Sequence, residues 1–134
     1  MELFSRVIGS GQPLIIIHGL FGMSDNWQSL AKQFSTFFEV HLIDQRNHGR
    51  SFHNNDFNYQ SLSQDLFNYI ESKNLEKVII LGHSLGGKTA MEFAVAHPSV
   101  VKKLVVVDIS PKFYPIHPRT IIKGLRFLAQ HELT

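Results

Sequence analysis

The sequence contains no cysteine among its 134 residues. This absence excludes a disulfide framework, a thiolate nucleophile and a thiolate metal site. The eight histidines include no His-x-His or His-x-x-x-His pair, so we predict no metal and no cofactor. Thirteen Lys and Arg residues against eleven Asp and Glu residues give a formal net charge of +2, and the basic residues are scattered along the chain. The charge pattern therefore gives no support for nucleic-acid binding.

Long apolar runs are also missing. The longest cover residues 14–17, 78–81 and 104–107, far short of the ~18 residues that a membrane-spanning helix needs. The first residues lack the basic stretch followed by an apolar stretch that marks a secretory signal. We therefore expect no membrane association and a cytoplasmic location.

Short β-rich runs alternate with stretches of helical period along the chain. This alternation is typical of a mostly parallel sheet with helices on both faces, so the predicted fold class is α/β, doubly wound. We predict strands at residues 3–8, 14–17, 38–43, 77–81 and 103–109, and helices that begin near residues 27, 59, 84 and 121. A polar loop at residues 44–58 separates two of these elements, and long loops of this kind carry function.

Polar residues near the first two helices are candidate N-caps. One of Ser24, Asp25 and Asn26 is predicted to cap the first helix. Ser61 and Gln64 form a candidate capping box at the second helix, which we expect to span residues 59–72.

The strongest motif is Gly82-His83-Ser84-Leu85-Gly86-Gly87, which lies between a predicted strand and a predicted helix. A nucleophile elbow needs glycine two residues before and two residues after the serine, because Cβ atoms would clash in so sharp a turn. The following helix would offer the Leu85 N–H to a developing oxyanion. We predict Ser84 as the nucleophile and the Leu85 amide as one oxyanion donor, with an ordinary turn as the alternative.

A second glycine-containing segment, residues 18–22, follows the predicted strand at residues 14–17. Its backbone could direct another N–H to the same oxygen. We expect the Leu20 amide to be this donor and the Phe21 amide to be the alternative. A strand-ending turn without a catalytic part is the third interpretation.

Three segments together resemble the α/β-hydrolase superfamily: His18-Gly19-Leu20-Phe21-Gly22, Asp44-x-Arg46-Asn47-His48-Gly49-x-Ser51, and Gly82-His83-Ser84-Leu85-Gly86-Gly87-Lys88. The Asn47-His48 pair, Lys88 and the segment 108–111 are similar to those of YbfF-like bacterial esterases. The resemblance implies the N-terminal half of an α/β-hydrolase sheet that lacks the last strands. Residues 1–110 would form part of the core, and residues 111–134 would begin the lid. Asp44 and Arg46 are predicted to hold their loop in shape.

A hydrolytic serine needs a base within hydrogen-bond reach and an acid that orients this base. Asp108 ends the strand after the elbow helix, so we expect it at the same edge of the sheet as Ser84. The resemblance implies Asp108 as the acid, and a turn-capping role is the alternative. No histidine of the sequence is a good candidate for the base. His83 is expected to be a packed histidine, and the family's order implies a base beyond Thr134.

The resemblance suggests a serine esterase whose partner is a small-molecule carboxylic ester or acyl thioester. Phe21, His83, Phe113 and Tyr114 are expected to line its substrate pocket. The chain alone is expected to be inactive, and the apolar strand at 103–109 is expected to pair with a second copy or a complementing C-terminal segment. Two alternatives stay open: a non-catalytic binding module, and an acyltransferase or carbon–carbon bond hydrolase on the same fold.

Overall fold

The computed structural model describes residues 1–110, which fold around a five-stranded sheet. The strands are β1 (Ser5–Ile8), β2 (Gln12–Ile17), β3 (Phe38–Ile43), β4 (Val78–His83) and β5 (Val101–Val107). A short 3-10 helix (Ser24–Trp27) leads into α1 (Gln28–Phe34), and α2 (Tyr59–Ser72) and α3 (Leu85–Ala96) follow. The predicted lid segment, its helix near residue 121, and Phe113 and Tyr114 lie outside the described residues.

The strand order is β1-β3-β2-β4-β5. β2, β3, β4 and β5 run parallel, and β1 runs antiparallel to β3. The predicted mostly parallel α/β sheet is therefore confirmed. Within residues 1–110, no helix combines the length and the apolarity that a membrane crossing requires.

β2 is central because its last four residues are apolar and can be buried on both faces of the sheet. Each residue of 14–17 is 5% exposed or less. Ile15 and Ile17 pack in one cluster with side chains of α2 and α3, whereas Leu14 and Ile16 pack in another with Ala31 of α1. Burial of each such side chain contributes about 2 kcal/mol. Helices cover both faces, as a doubly wound sheet requires.

The predicted N-caps of the first two helices are wrong. Ser24, Asp25 and Asn26 lie inside the 3-10 helix, because its first turn already begins after Met23. Asn58 caps α2: its Oδ1 accepts the Ser61 N–H at 2.8 Å. The Ser61 N–H is thus one of the unpaired donors at the start of the helix, and the Asn58 side chain, three residues earlier, is its acceptor. The bounds predicted for α2 are confirmed.

β5 forms one edge of the sheet in the described part of the chain, where it pairs with β4 alone. Leu104, Val105 and Val107 are 38%, 44% and 37% exposed. A parallel strand with apolar residues is normally covered on both faces, so this exposure is unusual. The apolar strand predicted at residues 103–109 is thus present as an edge strand of residues 1–110, with bounds at Val101–Val107, and its pairing with a second copy or a further segment stays a prediction.

Candidate active site

Ser84 lies in the turn between β4 and α3, at the carboxyl end of the parallel strands. Its φ of 52° and ψ of −113° fall outside the regions that residues other than glycine normally adopt. Glycines on either side make the turn possible: a Cβ on Gly82 would clash with the Gly86 carbonyl oxygen, and a Cβ on Gly86 would clash with the Ile17 carbonyl oxygen. The strand, sharp turn and helix predicted around Ser84 are therefore present.

Asp108 reaches the same edge of the sheet at the end of β5. His83 is the register partner of Val107, and the Ser84 N–H donates to the Val107 carbonyl at 3.0 Å. Asp108 follows directly, with a φ of 58°, and is exposed. Ser84 and Asp108 thus stand at the ends of neighbouring strands.

The loop after β2, residues 18–22, faces the elbow. A Cβ placed on Gly19 would lie 3.4 Å from Ser84 Cβ. The Gly22 N–H donates to the Gly19 carbonyl at 3.0 Å, which closes a β-turn around Leu20 and Phe21. The Phe21 N–H donates to His48 Nε2 at 3.0 Å and is therefore occupied. Within residues 1–110, the Leu20 and Leu85 N–H groups have no acceptor.

Gln45 ties this loop to α3. Its backbone N–H donates to His18 Nε2 at 2.9 Å, and its side-chain amide donates to the His18 carbonyl at 3.0 Å. Thr89 Oγ1 donates to the Gln45 side-chain oxygen at 2.7 Å, from a position one turn after the elbow. The loop after β2 and the helix after Ser84 are therefore joined through one glutamine.

His18 is neutral in this arrangement. Burial lowers the pKa of His18 to about 4. Its Nδ1–H donates to the Gly19 carbonyl at 2.7 Å while Nε2 accepts the Gln45 N–H, so the two bonds assign the tautomer. Both ring nitrogens are occupied, and neither is available as a base.

Charged side chains hold the loop after β3. The buried Asp44 carboxylate accepts the Ser24 N–H at 2.6 Å and the Arg50 N–H at 3.0 Å. Arg46 donates to both carboxylate oxygens of Asp65 in α2, at 2.6 and 2.8 Å, and this bonding raises the pKa of Arg46. The structural role predicted for Asp44 and Arg46 is confirmed.

A cleft of about 340 Å³ opens beside the elbow. It is lined by His18, Gly19, Leu20, Gly22, Asn26, Trp27, Leu30 and His83. The Trp27 and His83 rings lie 5.8 Å apart between centroids. Of the residues predicted to form the substrate pocket, His83 lines this cleft, whereas Phe21 is 45% exposed and lies beside His48.

The sequence prediction missed Trp27 and Leu30 as lining residues. Their spacing with Ala31 and Phe34 is that of an apolar stripe facing a sheet, and this pattern does not distinguish a core face from a cleft wall. A tryptophan next to a polar cap segment was the only available signal.

Three of the described histidines, His18, His41 and His48, use both ring nitrogens in hydrogen bonds to groups other than Ser84 Oγ. In residues 1–110, Ser84 Oγ has no hydrogen-bond partner. His41 bonds Glu39 and Tyr69 in the core, and His97 stacks on Phe67 at the far end of α3, roughly 18 Å along the helix. His117 and His131 lie outside the described part of the chain.

The described residues bring together no three His, Asp or Glu side chains that could hold a metal ion.

Comparisons with known proteins place this geometry in a family. The sequence model of the alpha/beta hydrolase fold matches residues 12–125. A solved structure named "Marine microorganism esterase" is 52% identical, with a TM-score of 0.88, over 98% of this chain and 52% of that one. The sn-1-specific diacylglycerol lipase ABHD11 of Mus musculus is 47% identical over 100 residues, which are 73% of this chain and 33% of that protein.

Esterase YbfF of Escherichia coli is 34% identical over 107 residues, which are 80% of this chain and 42% of that protein. The chain thus spans between about a third and about half of the length of these relatives. Because the family match extends over most of the sequence and the sheet superposes on that of an esterase, the chain belongs to the alpha/beta hydrolase fold family.

Proposed function

We propose that the complete protein is a serine hydrolase that cleaves carboxylic esters or acyl thioesters through an acyl-enzyme on Ser84. The conformation of Ser84 is the observation that carries this proposal. A serine with a φ of 52° between two crowded glycines is strained, and such strain is typical of functional positions. The esterases among the relatives support an ester as the substrate.

In the proposed reaction, Ser84 Oγ attacks the acyl carbonyl carbon while a histidine base accepts the hydroxyl proton. The carbonyl oxygen becomes an oxyanion that the Leu20 and Leu85 N–H groups stabilise. Collapse of the intermediate breaks the bond to the alcohol or thiol, which leaves with the proton from the histidine. Water then attacks the acyl-enzyme by the same steps and releases the acid.

The two free N–H groups support this assignment of the oxyanion donors. The Phe21 N–H is bound to His48, which leaves Leu20 as the donor that fits in the loop after β2. Leu85 is the first residue of α3, where the helix dipole favours negative charge. A single oxyanion donor contributes about 10²- to 10³-fold to the rate in serine hydrolases.

The base and the acid are proposals that rest on the order of residues in the family. A histidine outside residues 1–110 would act as the base, and Asp108 would orient it from the end of β5. The exposed edge of β5 supports the idea that further chain, or a second copy, pairs there. Residues 111–134 would begin a lid, and the cytoplasmic location stays a prediction.

We propose that the acyl group enters the cleft beside Ser84. Its volume of about 340 Å³ is at the small end of the range for small-molecule sites. Trp27, Leu30 and His83 would supply its walls. Contact of Phe21, Phe113 and Tyr114 with the substrate stays a prediction.

Labelling of the complete protein with a fluorophosphonate probe tests the proposal, because the probe reacts only with an activated serine. We expect one labelled residue, Ser84, and no label on Ser84→Ala. Turnover of 4-nitrophenyl acetate should fall by about 10⁴-fold or more in that variant, because nucleophile and base act as a unit. Ser29→Ala, on the exposed side of α1, is the matched control.

Retention of a tenth of the activity in Ser84→Ala would overturn the nucleophile assignment. An unlabelled wild type would favour the non-catalytic binding module. Product analysis with an added alcohol distinguishes hydrolysis from acyl transfer, since only the latter yields a new ester as the main product.

A further inference from the structure

The turn beside the nucleophile contains a second strained residue. Phe21 has a φ of 60°, in the left-handed region, although it is not glycine. It is the third residue of the β-turn closed by the bond from the Gly22 N–H to the Gly19 carbonyl. A positive φ at this position is the pattern of a type II turn, where glycine or asparagine normally stands. Some other group must hold Phe21 in this conformation.

His48 contacts the strained peptide directly. Its Nε2 accepts the Phe21 N–H at 3.0 Å, across 27 residues of sequence. Its Nδ1–H donates to the Arg46 carbonyl at 2.9 Å, so the ring is a neutral tautomer whose lone pair points at Phe21. Burial against the His18 and Phe57 rings, at 5.0 and 6.0 Å, keeps the imidazole in place.

We propose that His48 is a positioning residue for catalysis: by accepting the Phe21 N–H, it fixes the turn that directs the Leu20 N–H at the oxyanion. This inference rests on the proposed function and deepens it. His48 does not touch the substrate or the reacting atoms.

The turn geometry explains why one acceptor has this effect. Type I and type II turns differ by a rotation of the central peptide, here the peptide between Leu20 and Phe21. If this peptide rotated, the Leu20 carbonyl oxygen would face the His48 lone pair, and two acceptors would repel each other. The neutral imidazole therefore favours one of the two turns. Without it, ψ of Leu20 and φ of Phe21 gain a second combination. The turn that carries the Leu20 N–H is then no longer held in one conformation, so the strain at Phe21 can relax by moving this backbone.

Two substitutions in the complete protein test the roles of the two ring nitrogens of His48 separately. His48→Gln places an amide oxygen near the position of Nε2, so it can still accept the Phe21 N–H. His48→Asn places its amide near Nδ1, so it keeps a donor for the Arg46 carbonyl and loses the acceptor for Phe21. His53→Asn is the matched control, because His53 is an exposed histidine of the same loop.

The readout compares 4-nitrophenyl acetate with its thiono analogue, in which sulfur replaces the carbonyl oxygen. Hydrogen-bond donors stabilise a developing charge on oxygen better than on sulfur, so the oxygen-to-sulfur ratio of kcat/KM reports oxyanion stabilisation. Partial unfolding lowers both rates equally and cancels in the ratio. The ratio therefore responds to a positioning role and not to a merely structural one.

For His48→Asn we expect kcat for the oxygen ester to fall about 10- to 100-fold, as for other small misplacements of catalytic groups, with KM changed less than about 2-fold. The ratio should fall about 10-fold. His48→Gln should recover most of both losses, and His53→Asn should match the wild type.

An unchanged ratio in His48→Asn would overturn the inference even if both rates fell. Equal effects of His48→Asn and His48→Gln would also overturn it. Failure of the proposed function looks different: the wild type would then lack fluorophosphonate labelling at Ser84, and Ser84→Ala would leave both rates unchanged.

Discussion

The two flanks of β4 are built differently, although each presents a candidate catalytic group at the same edge of the sheet. On the β2 flank, residues 14–17 are buried, and the loop at residues 18–22 is bonded to Gln45 and His48 of the loop after β3. On the β5 flank, three of the five apolar residues of the strand are exposed, and the elbow is joined to Val107 by the Ser84 N–H. The proposed nucleophile therefore lies between a buried strand with a hydrogen-bonded loop and an edge strand with exposed apolar side chains.

This contrast indicates a division of labour within the proposed site. The groups that would attack and stabilise charge, Ser84 and the Leu20 and Leu85 amides, are positioned by residues 1–110 alone. The groups that would move the proton depend on β5 and on residues outside this range. Rigidity is needed most where the oxyanion forms, since the donors must already be oriented when the charge develops.

The strongest way to test the contrast is to express the 134-residue chain by itself. We expect it to show no ester turnover above that of the Ser84→Ala variant of the complete protein, and to self-associate through β5. A sizing column with light scattering and an aryl ester assay provide the measurements. Val105→Lys should reduce association, and Val95→Lys, on the exposed face of α3, should not. A monodisperse monomer with ordinary turnover would show that β5 needs no cover.

Removal of the charge at the end of β5 tests the acid. In the complete protein, Asp108→Asn should lower kcat by about 10³- to 10⁴-fold with KM nearly unchanged, because the base loses the anion that fixes its tautomer. Steady-state kinetics on an aryl ester give both constants, and Asp56→Asn in the polar loop serves as the control. If the rate barely moves, the acid lies elsewhere, and Asp108 only caps a turn.

Asp44, which lies at the end of β3, should affect stability, whereas Asp108 should affect the rate of the reaction. Asp44→Asn should lower the free energy of unfolding by about 2–3 kcal/mol, since its buried carboxylate accepts the Ser24 and Arg50 N–H groups. Urea unfolding at pH 7 measures this loss. The exposed Asp25→Asn should change stability by less than about 1 kcal/mol. A stable Asp44→Asn protein would show that the β3 loop does not depend on this carboxylate.

The smallest expected effect is a loss of stability at low pH through His18, which follows β2. His18 has a pKa of about 4 when folded and 6.5 as the reference for the unfolded chain. Between these values the unfolded state binds more protons, so stability rises with pH. From pH 7.5 to pH 5 the complete protein should lose about 2 kcal/mol through His18. Urea unfolding across this range should give a shallower slope for His18→Asn, and an equal slope would contradict the assignment.

The features that sequence predicted well are those set by neighbouring residues. The glycines at 82 and 86 are required by the turn itself, and the alternation of β-rich and helical segments is enough to indicate a parallel sheet. The start of β2 at Gln12, rather than at residue 14, depends on pairing with β3, which no local pattern shows.

The features that sequence did not predict depend on distant contacts. The bond between Phe21 and His48 spans 27 residues, and its existence depends on how two loops meet. Asn58 and Ser61 both suit a helix start, and packing of the following turn decides between them. Trp27 is the last residue of the 3-10 helix, where it packs against the cluster of Ala31 and also lines the cleft, and no local pattern shows this double contact.

The residues with a positive φ bear on the balance between the stability of the chain and its proposed function. In residues 1–110, five residues other than glycine have a positive φ: Phe21, Asn47, Asn74, Ser84 and Asp108. Asparagine and aspartate tolerate this conformation, but at Phe21 and Ser84 a glycine would relieve roughly 1–2 kcal/mol of strain. Glycine at either position is therefore expected to stabilise the fold, although at 84 it would remove the proposed nucleophile. The chain carries a side chain at both positions, so the proposed site is built at a cost in stability.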